Sequence, residues 1–120
     1  MLRPARARVL ARPVVPHRRR LVVLAGAVTL LAPALAAGPR IHTVVMEGIR
    51  FVPETLEVQR GDTVEWVNRD VVPHTVTAAG VFDSGNIAPN ARWKRVMGKA
   101  GTVPYACTFH PTMKGTLQVR

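Results

Sequence analysis

From about residue 40 onward, apolar and polar positions alternate with a period of two. Leu56 and Val58 alternate with Glu57 and Gln59, and Val64 and Trp66 with Thr63, Glu65 and Val67. Trp93, Arg95 and Met97 alternate with Arg92, Lys94 and Val96; Val103, Tyr105 and Cys107 share one face, and Leu117 and Val119 another. Such alternation predicts half-buried strands. Turn-forming groups separate them: Glu47-Gly48, Pro53-Glu54, Arg60-Gly61-Asp62, Asn68-Arg69-Asp70, Asp83-Ser84-Gly85-Asn86, Ala88-Pro89-Asn90, Ala100-Gly101 and Lys114-Gly115. No long stretch has helical periodicity. The pattern predicts an all-β antiparallel sandwich with Greek-key connections and about seven to eight strands. His74 is expected to begin a strand over residues 75–79. Pro104 falls inside a predicted strand and removes a ladder donor, so a local break or a sheet edge is expected there.

The first 37 residues follow another rule. A basic run ending in Arg18-Arg19-Arg20 leads into the apolar residues 21–35 and then Ala34-Leu35-Ala36-Ala37. Positive flank, short apolar stretch and Ala-x-Ala exit mark a secretory signal over residues 1–37, cleaved near Ala36 or Ala37. The order Arg18-Arg19-Arg20-Leu21-Val22 also fits a twin-arginine signal. Pro33 interrupts the apolar stretch, which falls short of the ~20 residues that span a bilayer. Residues 38–120 then form one small domain, expected in the periplasm or secreted, and in contact with a membrane only through an uncleaved signal.

This division changes the meaning of the formal charge of +10. Seven of the 17 basic residues lie at or before Arg20, whereas all seven acidic residues lie after position 40. Residues 38–120 carry 10 basic and 7 acidic side chains, a net of +3, too little for a nucleic-acid footprint. So small an exported domain usually needs disulfides or a metal. The chain has one cysteine, so an internal disulfide is excluded.

That cysteine opens Cys107-Thr108-Phe109-His110-Pro111-Thr112-Met113, and a second imidazole stands in Pro73-His74-Thr75. Each of the four has an ordinary reading alone: a buried thiol, a loop histidine, an exposed histidine, a core methionine. Together, one thiolate, two imidazoles and a thioether are the donors of a mononuclear blue-copper electron-transfer site. Zinc sites draw on thiolate, imidazole and carboxylate rather than thioether. His42, in Ile41-His42-Thr43, has no partner at ligand spacing and is expected at the surface.

At these residues the chain resembles the small bacterial cupredoxins. The resemblance is carried by Phe51-Val52-Pro53, Gly61-Asp62-Thr63-Val64-Glu65-Trp66-Val67-Asn68, Pro73-His74-Thr75-Val76, Phe82-Asp83-Ser84-Gly85 and the run from Pro104 to Gly115. The Cys-x-x-His-x-x-Met loop is similar to that of the amicyanins and shorter than that of the plastocyanins. The resemblance implies a cupredoxin-type sandwich with one copper ion, His74, Cys107 and His110 as equatorial ligands and Met113 as axial ligand. It also implies a surface patch around His110, with Pro73, Phe109, Pro111, Thr112 and Pro89 as candidates. One departure stands out: many members carry Asn after the first histidine, where this chain has Thr75.

The function expected is a monomeric carrier of single electrons between redox partner proteins. The alternative is a copper-binding or copper-delivery protein, although Met46, Met97 and Met113 are too scattered to form a methionine-rich tract. An enzyme would need an open coordination position or a second reactive group. A plain secreted adhesion module leaves the cysteine and its neighbouring histidine unexplained.

Overall fold

A computed structural model describes residues 10–14, 26–33 and 37–120. The chain divides into Met1–Ala34 and Leu35–Arg120. In the first unit the described residues are exposed and carry neither helix nor strand. The greater part of the expected signal over 1–37, including Ala36 at its exit, lies outside the described residues.

The second unit holds nine strands among the described residues: β1 (Ile41–Met46), β2 (Phe51–Val52), β3 (Thr55–Val58), β4 (Thr63–Asn68), β5 (Thr77–Ala78), β6 (Phe82–Asp83), β7 (Arg92–Val96), β8 (Gly101–Ala106) and β9 (Lys114–Val119). They form two sheets, ordered β2-β1-β4-β7 and β3-β9-β8-β5-β6. The all-β sandwich is as expected. The sheets are mixed rather than antiparallel, because β1 pairs β4 in parallel and β3 pairs β9 in parallel. Periodicity sets which face of a strand is buried but says nothing of its neighbour's direction. The strand count exceeds the expected seven to eight because β2, β5 and β6 have only two residues each, too short to show an alternation.

One core lies between the sheets. Trp66 of β4 packs against Tyr105 of β8 and Phe82 of β6, with ring centroids 5.6 and 5.9 Å apart. Val44, Met46 and Val64 from one sheet and Ala78, Leu117 and Val119 from the other complete it. Burial pushes the Tyr105 phenol up to about 12, so this ring stays neutral in the core. Gly115 of β9 pairs with Tyr105, and a methyl group on Gly115 would run into the Tyr105 ring. Gly115→Ala is expected to cost about 1–3 kcal/mol through overpacking, read as a lower denaturation midpoint of the metal-free chain.

Pro104 meets its expectation. β8 is bonded to β9 along its whole length, but β5 reaches it only at Ala106. Over most of its length β8 therefore has a free side, where a missing N–H costs nothing.

His42 does not behave as expected. It is half-buried, and its Nε2 lies 2.8 Å from Asp62 Oδ2. Asp62 also accepts the backbone N–H groups of Arg40 at 2.9 Å and Gln59 at 3.0 Å. The partner lies 20 residues away and is brought close by the parallel pairing of β1 with β4. The Arg40 amide, the His42 ring and the Gln59 amide, working against burial, hold the Asp62 carboxyl at about 2 instead of 3.8. A carboxyl whose folded value lies below its unfolded one stabilises the fold above the unfolded value and ceases to as pH falls through the folded one. This contribution is complete above pH 3.8 and disappears toward pH 2. Asp62→Asn is therefore expected to flatten stability against pH between those limits, measured by denaturation of the metal-free chain.

Candidate metal centre

Cys107 directly follows β8, Met113 directly precedes β9, and His110 stands on the loop between them. The loop is closed by its own backbone: Cys107 N–H donates to Met113 O at 3.0 Å and Met113 N–H to His110 O at 2.8 Å. His74 arrives on the other approach, between β4 and β5. It exchanges both backbone bonds with Ile87, at 3.1 and 2.8 Å.

The expected strand over 75–79 shrinks to Thr77–Ala78. The amides before it are taken by side chains: Thr75 N–H donates to Cys107 Sγ at 3.3 Å and Val76 N–H to Ser84 Oγ at 2.7 Å. A ladder cannot form where its donors are already committed.

The two approaches meet. Cys107 Sγ lies 3.7 Å from His74 Nδ1 and 3.6 Å from His110 Nδ1. One donor atom from each of the three residues falls within a sphere of separations no larger than 4.8 Å. His74 and Cys107 are fully buried, and His110 is partly exposed. An ion of zinc's size binds imidazole nitrogen at about 2.0 Å and thiolate at about 2.3 Å, which opens to donor separations of roughly 3.5–3.7 Å at tetrahedral to trigonal angles. The sulfur-to-nitrogen spacings fit such an ion. Met113 is buried, with its backbone tied to both Cys107 and His110. One thiolate with two imidazoles is a donor set suited to copper in both of its oxidation states.

The chain matches the family model of the cupredoxin-like domain over residues 20–119. It belongs to the cupredoxin-like family. It is 32% identical to the amicyanin of Paracoccus versutus over 104 residues, 77% of this chain and 76% of that protein. It is 34% identical to the amicyanin of Paracoccus denitrificans over 77 residues, and spans 59% of that protein's length. An amicyanin variant solved as Cu(I) superposes with a TM-score of 0.64 at 30% identity, covering 67% of this chain and 82% of the other. A purple cupredoxin from Nitrosopumilus maritimus superposes with a TM-score of 0.61 at 28% identity, covering 65% and 98%.

In this cupredoxin the histidine from the distant approach is oriented by a carboxylate. His74 Nε2 lies 2.6 Å from Asp70 Oδ2. The ring therefore carries its proton on Nε2, donates it to Asp70 and leaves the Nδ1 lone pair facing Cys107. Asp70 also accepts the amides of Gly48 at 2.7 Å and Ile49 at 3.0 Å. Both residues lie in the left-handed region, at φ 62° and 56°, unfavourable for a β-branched residue such as Ile49. Burial opposes the Asp70 charge, but the Ile49 amide, the His74 ring and the Gly48 amide hold its carboxyl below the ordinary range. Asn68 completes the support, donating to Val72 O at 2.8 Å and Ile87 O at 3.0 Å and accepting from Asp70 N–H at 2.9 Å.

Sequence reasoning saw Asn68 and Asp70 only as turn formers. The one local signal is a carboxylate four positions before the histidine. Thr75, the departure from the family pattern, does brace the ligand loop. Its Oγ1 accepts Thr108 N–H at 2.8 Å while its own N–H points at the sulfur.

Proposed function

We propose that this protein is an exported mononuclear blue copper protein that carries single electrons between redox partners. In this reading His74, Cys107, His110 and Met113 would hold the ion. The observation that carries it is the convergence of two buried donors and one partly exposed donor within 4.8 Å of one another. Copper held by these residues would supply one-electron chemistry, between Cu(I) and Cu(II). Every other contribution comes from the chain. Asp70 fixes the ring of His74, and the closed 107–113 loop fixes the spacing of Cys107 and His110. A site shaped before the metal arrives has little to rearrange when the charge changes. The reading is of a carrier and not an enzyme, since four protein donors leave the ion no position for a substrate.

His110 is the route outward, because it is the one imidazole of the three-residue cluster that reaches solvent. On the loop that carries His110, Phe109 is 52% exposed and Pro111 and Thr112 are exposed, and Pro73, next to His74, whose ring lies 5.0 Å from that of His110, is exposed as well. Electron-transfer encounters use small, weak interfaces, and an apolar patch of this kind is sufficient. Residues 38–120 carry a net charge of only +3, so association relies on apolar contact more than on long-range steering. Export follows from the secretory pattern of residues 1–37, and the periplasm is the proposed compartment.

The test is to load the protein with Cu(II), record its optical and electron-paramagnetic spectra, and mix it with reduced and oxidised redox proteins. Expected are an intense visible band and its reversible bleaching with the copper retained. A colourless copper-loaded protein would overturn the blue-copper reading. Transfer of the metal itself to an apo acceptor would show copper delivery instead.

A further inference from the structure

Three threonines from two segments meet beside the cysteine: Thr75 after His74, Thr77 at the start of β5, and Thr108 after Cys107. Thr108 and Thr75 hydroxyls are 3.0 Å apart, and Thr75 and Thr77 hydroxyls 3.1 Å apart. Thr77 donates to Asp83 Oδ1 at 3.2 Å, and the same oxygen accepts Gly85 N–H at 2.9 Å. Asp83 is exposed on β6, whereas Thr75 is only 4% exposed. The row runs without a gap from Thr108 on the ligand loop, itself exposed, through buried Thr75 to exposed Asp83.

Its polarity is fixed from the outer end. A hydroxyl has one proton to give and two lone pairs, and an ionised carboxylate only accepts. Thr77 gives its proton to Asp83 and must accept from Thr75. Thr75 gives its proton to Thr77 and must accept from Thr108, beside the Thr108 N–H that it already accepts at 2.8 Å. Thr75 then has its proton and both lone pairs in use. Along the row every hydrogen points toward Asp83 and every oxygen toward the metal loop.

We propose that Thr77 and Asp83 are positioning residues for the metal site, fixing through Thr75 and Thr108 both the rigidity of the 107–113 loop and the reduction potential of the ion. This rests on the copper reading above. A row of dipoles with oxygens toward the ion favours its more positive state, and so lowers the potential. With the Thr77 hydroxyl removed, the Thr75 proton has only Thr108 Oγ1 to turn to. The inner pair reverses and its grip on the Thr108 amide loosens.

The test uses Thr77→Val, Asp83→Ala and the double variant in the full chain, with Thr77→Ser as the hydroxyl-retaining control. In the metal-free protein, hydrogen exchange at the Thr108 amide is expected to quicken about five- to tenfold in both single variants, while amides of β1 and β4 keep their rates. In the copper protein both single variants are expected to raise the potential. The double variant should match Thr77→Val alone, because Asp83 acts only through that hydroxyl. Thr77→Ser should restore wild-type values. Additive shifts in the double variant would mean that Asp83 acts through space, and would overturn the proposal, as would unchanged exchange at Thr108. If Thr77→Val does not fold, Asp83→Ala against Thr77→Ser decides by the same two readouts. Should the wild-type protein show no blue band, the copper reading fails, and the metal-free exchange still decides whether the row braces the loop.

Discussion

Cys107→Ala is expected to abolish the visible band of the Cu(II) protein. That band requires a thiolate on the metal, and the chain holds one cysteine. The variant leaves two imidazoles and a thioether, which make a weaker and differently shaped site. A further effect follows from burial. Cys107 Sγ accepts the Thr75 amide at 3.3 Å in the buried centre, so alanine leaves that N–H without its acceptor. One orphaned buried donor costs about 1–3 kcal/mol, too little to unfold most domains outright. The metal-free variant is thus expected to keep its β-sheet circular dichroism while the copper-loaded form is colourless with an altered electron-paramagnetic spectrum. A variant that stays blue would remove Cys107 from the site. One that is unfolded without metal would make it a core thiol first.

Asp70→Ala is the second large effect. Its carboxylate holds three groups, the His74 ring at 2.6 Å and the Gly48 and Ile49 amides at 2.7 and 3.0 Å. Loss of the carboxylate behind a metal-binding histidine typically lowers metal affinity 10- to 100-fold. The same order is expected here, measured by competition with a chelator of known affinity. Ile49 adds a way to separate the two roles. It holds φ 56°, a conformation that glycine adopts without penalty. Combining Asp70→Ala with Ile49→Gly should recover part of the lost stability, because the turn then no longer needs its carboxylate. Copper affinity should stay low, because the His74 ring is still without its partner. Recovery of both would mean that Asp70 acts on the metal only through the turn.

How much of this was legible in the chain depended on how local each signal was. The two sheets were readable because burial leaves a period-two trace in residues such as Val64 and Trp66, or Leu117 and Val119. Three of the four candidate ligands were readable because they lie within seven consecutive residues, on a loop whose ends are fixed by adjacent strands. Asp70 was not, because Asn68-Arg69-Asp70 reads as an ordinary turn wherever it occurs. His42 was misread for the same reason: its partner Asp62 is set by the pairing of β1 with β4, two strands with β2 and β3 between them in sequence.

The amino-acid order by itself determined the all-β character and a donor set that suits copper. Only the tertiary structure decided that His74 Nδ1 comes within 3.7 Å of a sulfur 33 residues later. It alone decided that Asp70 orients that ring, and that three threonines and Asp83 form one row with a single polarity. The reason is physical. Alternation and composition record whether a side chain is buried, a property of one position at a time. A hydrogen bond or a metal site is a relation between positions, and the order and direction of the strands in two sheets choose which positions meet.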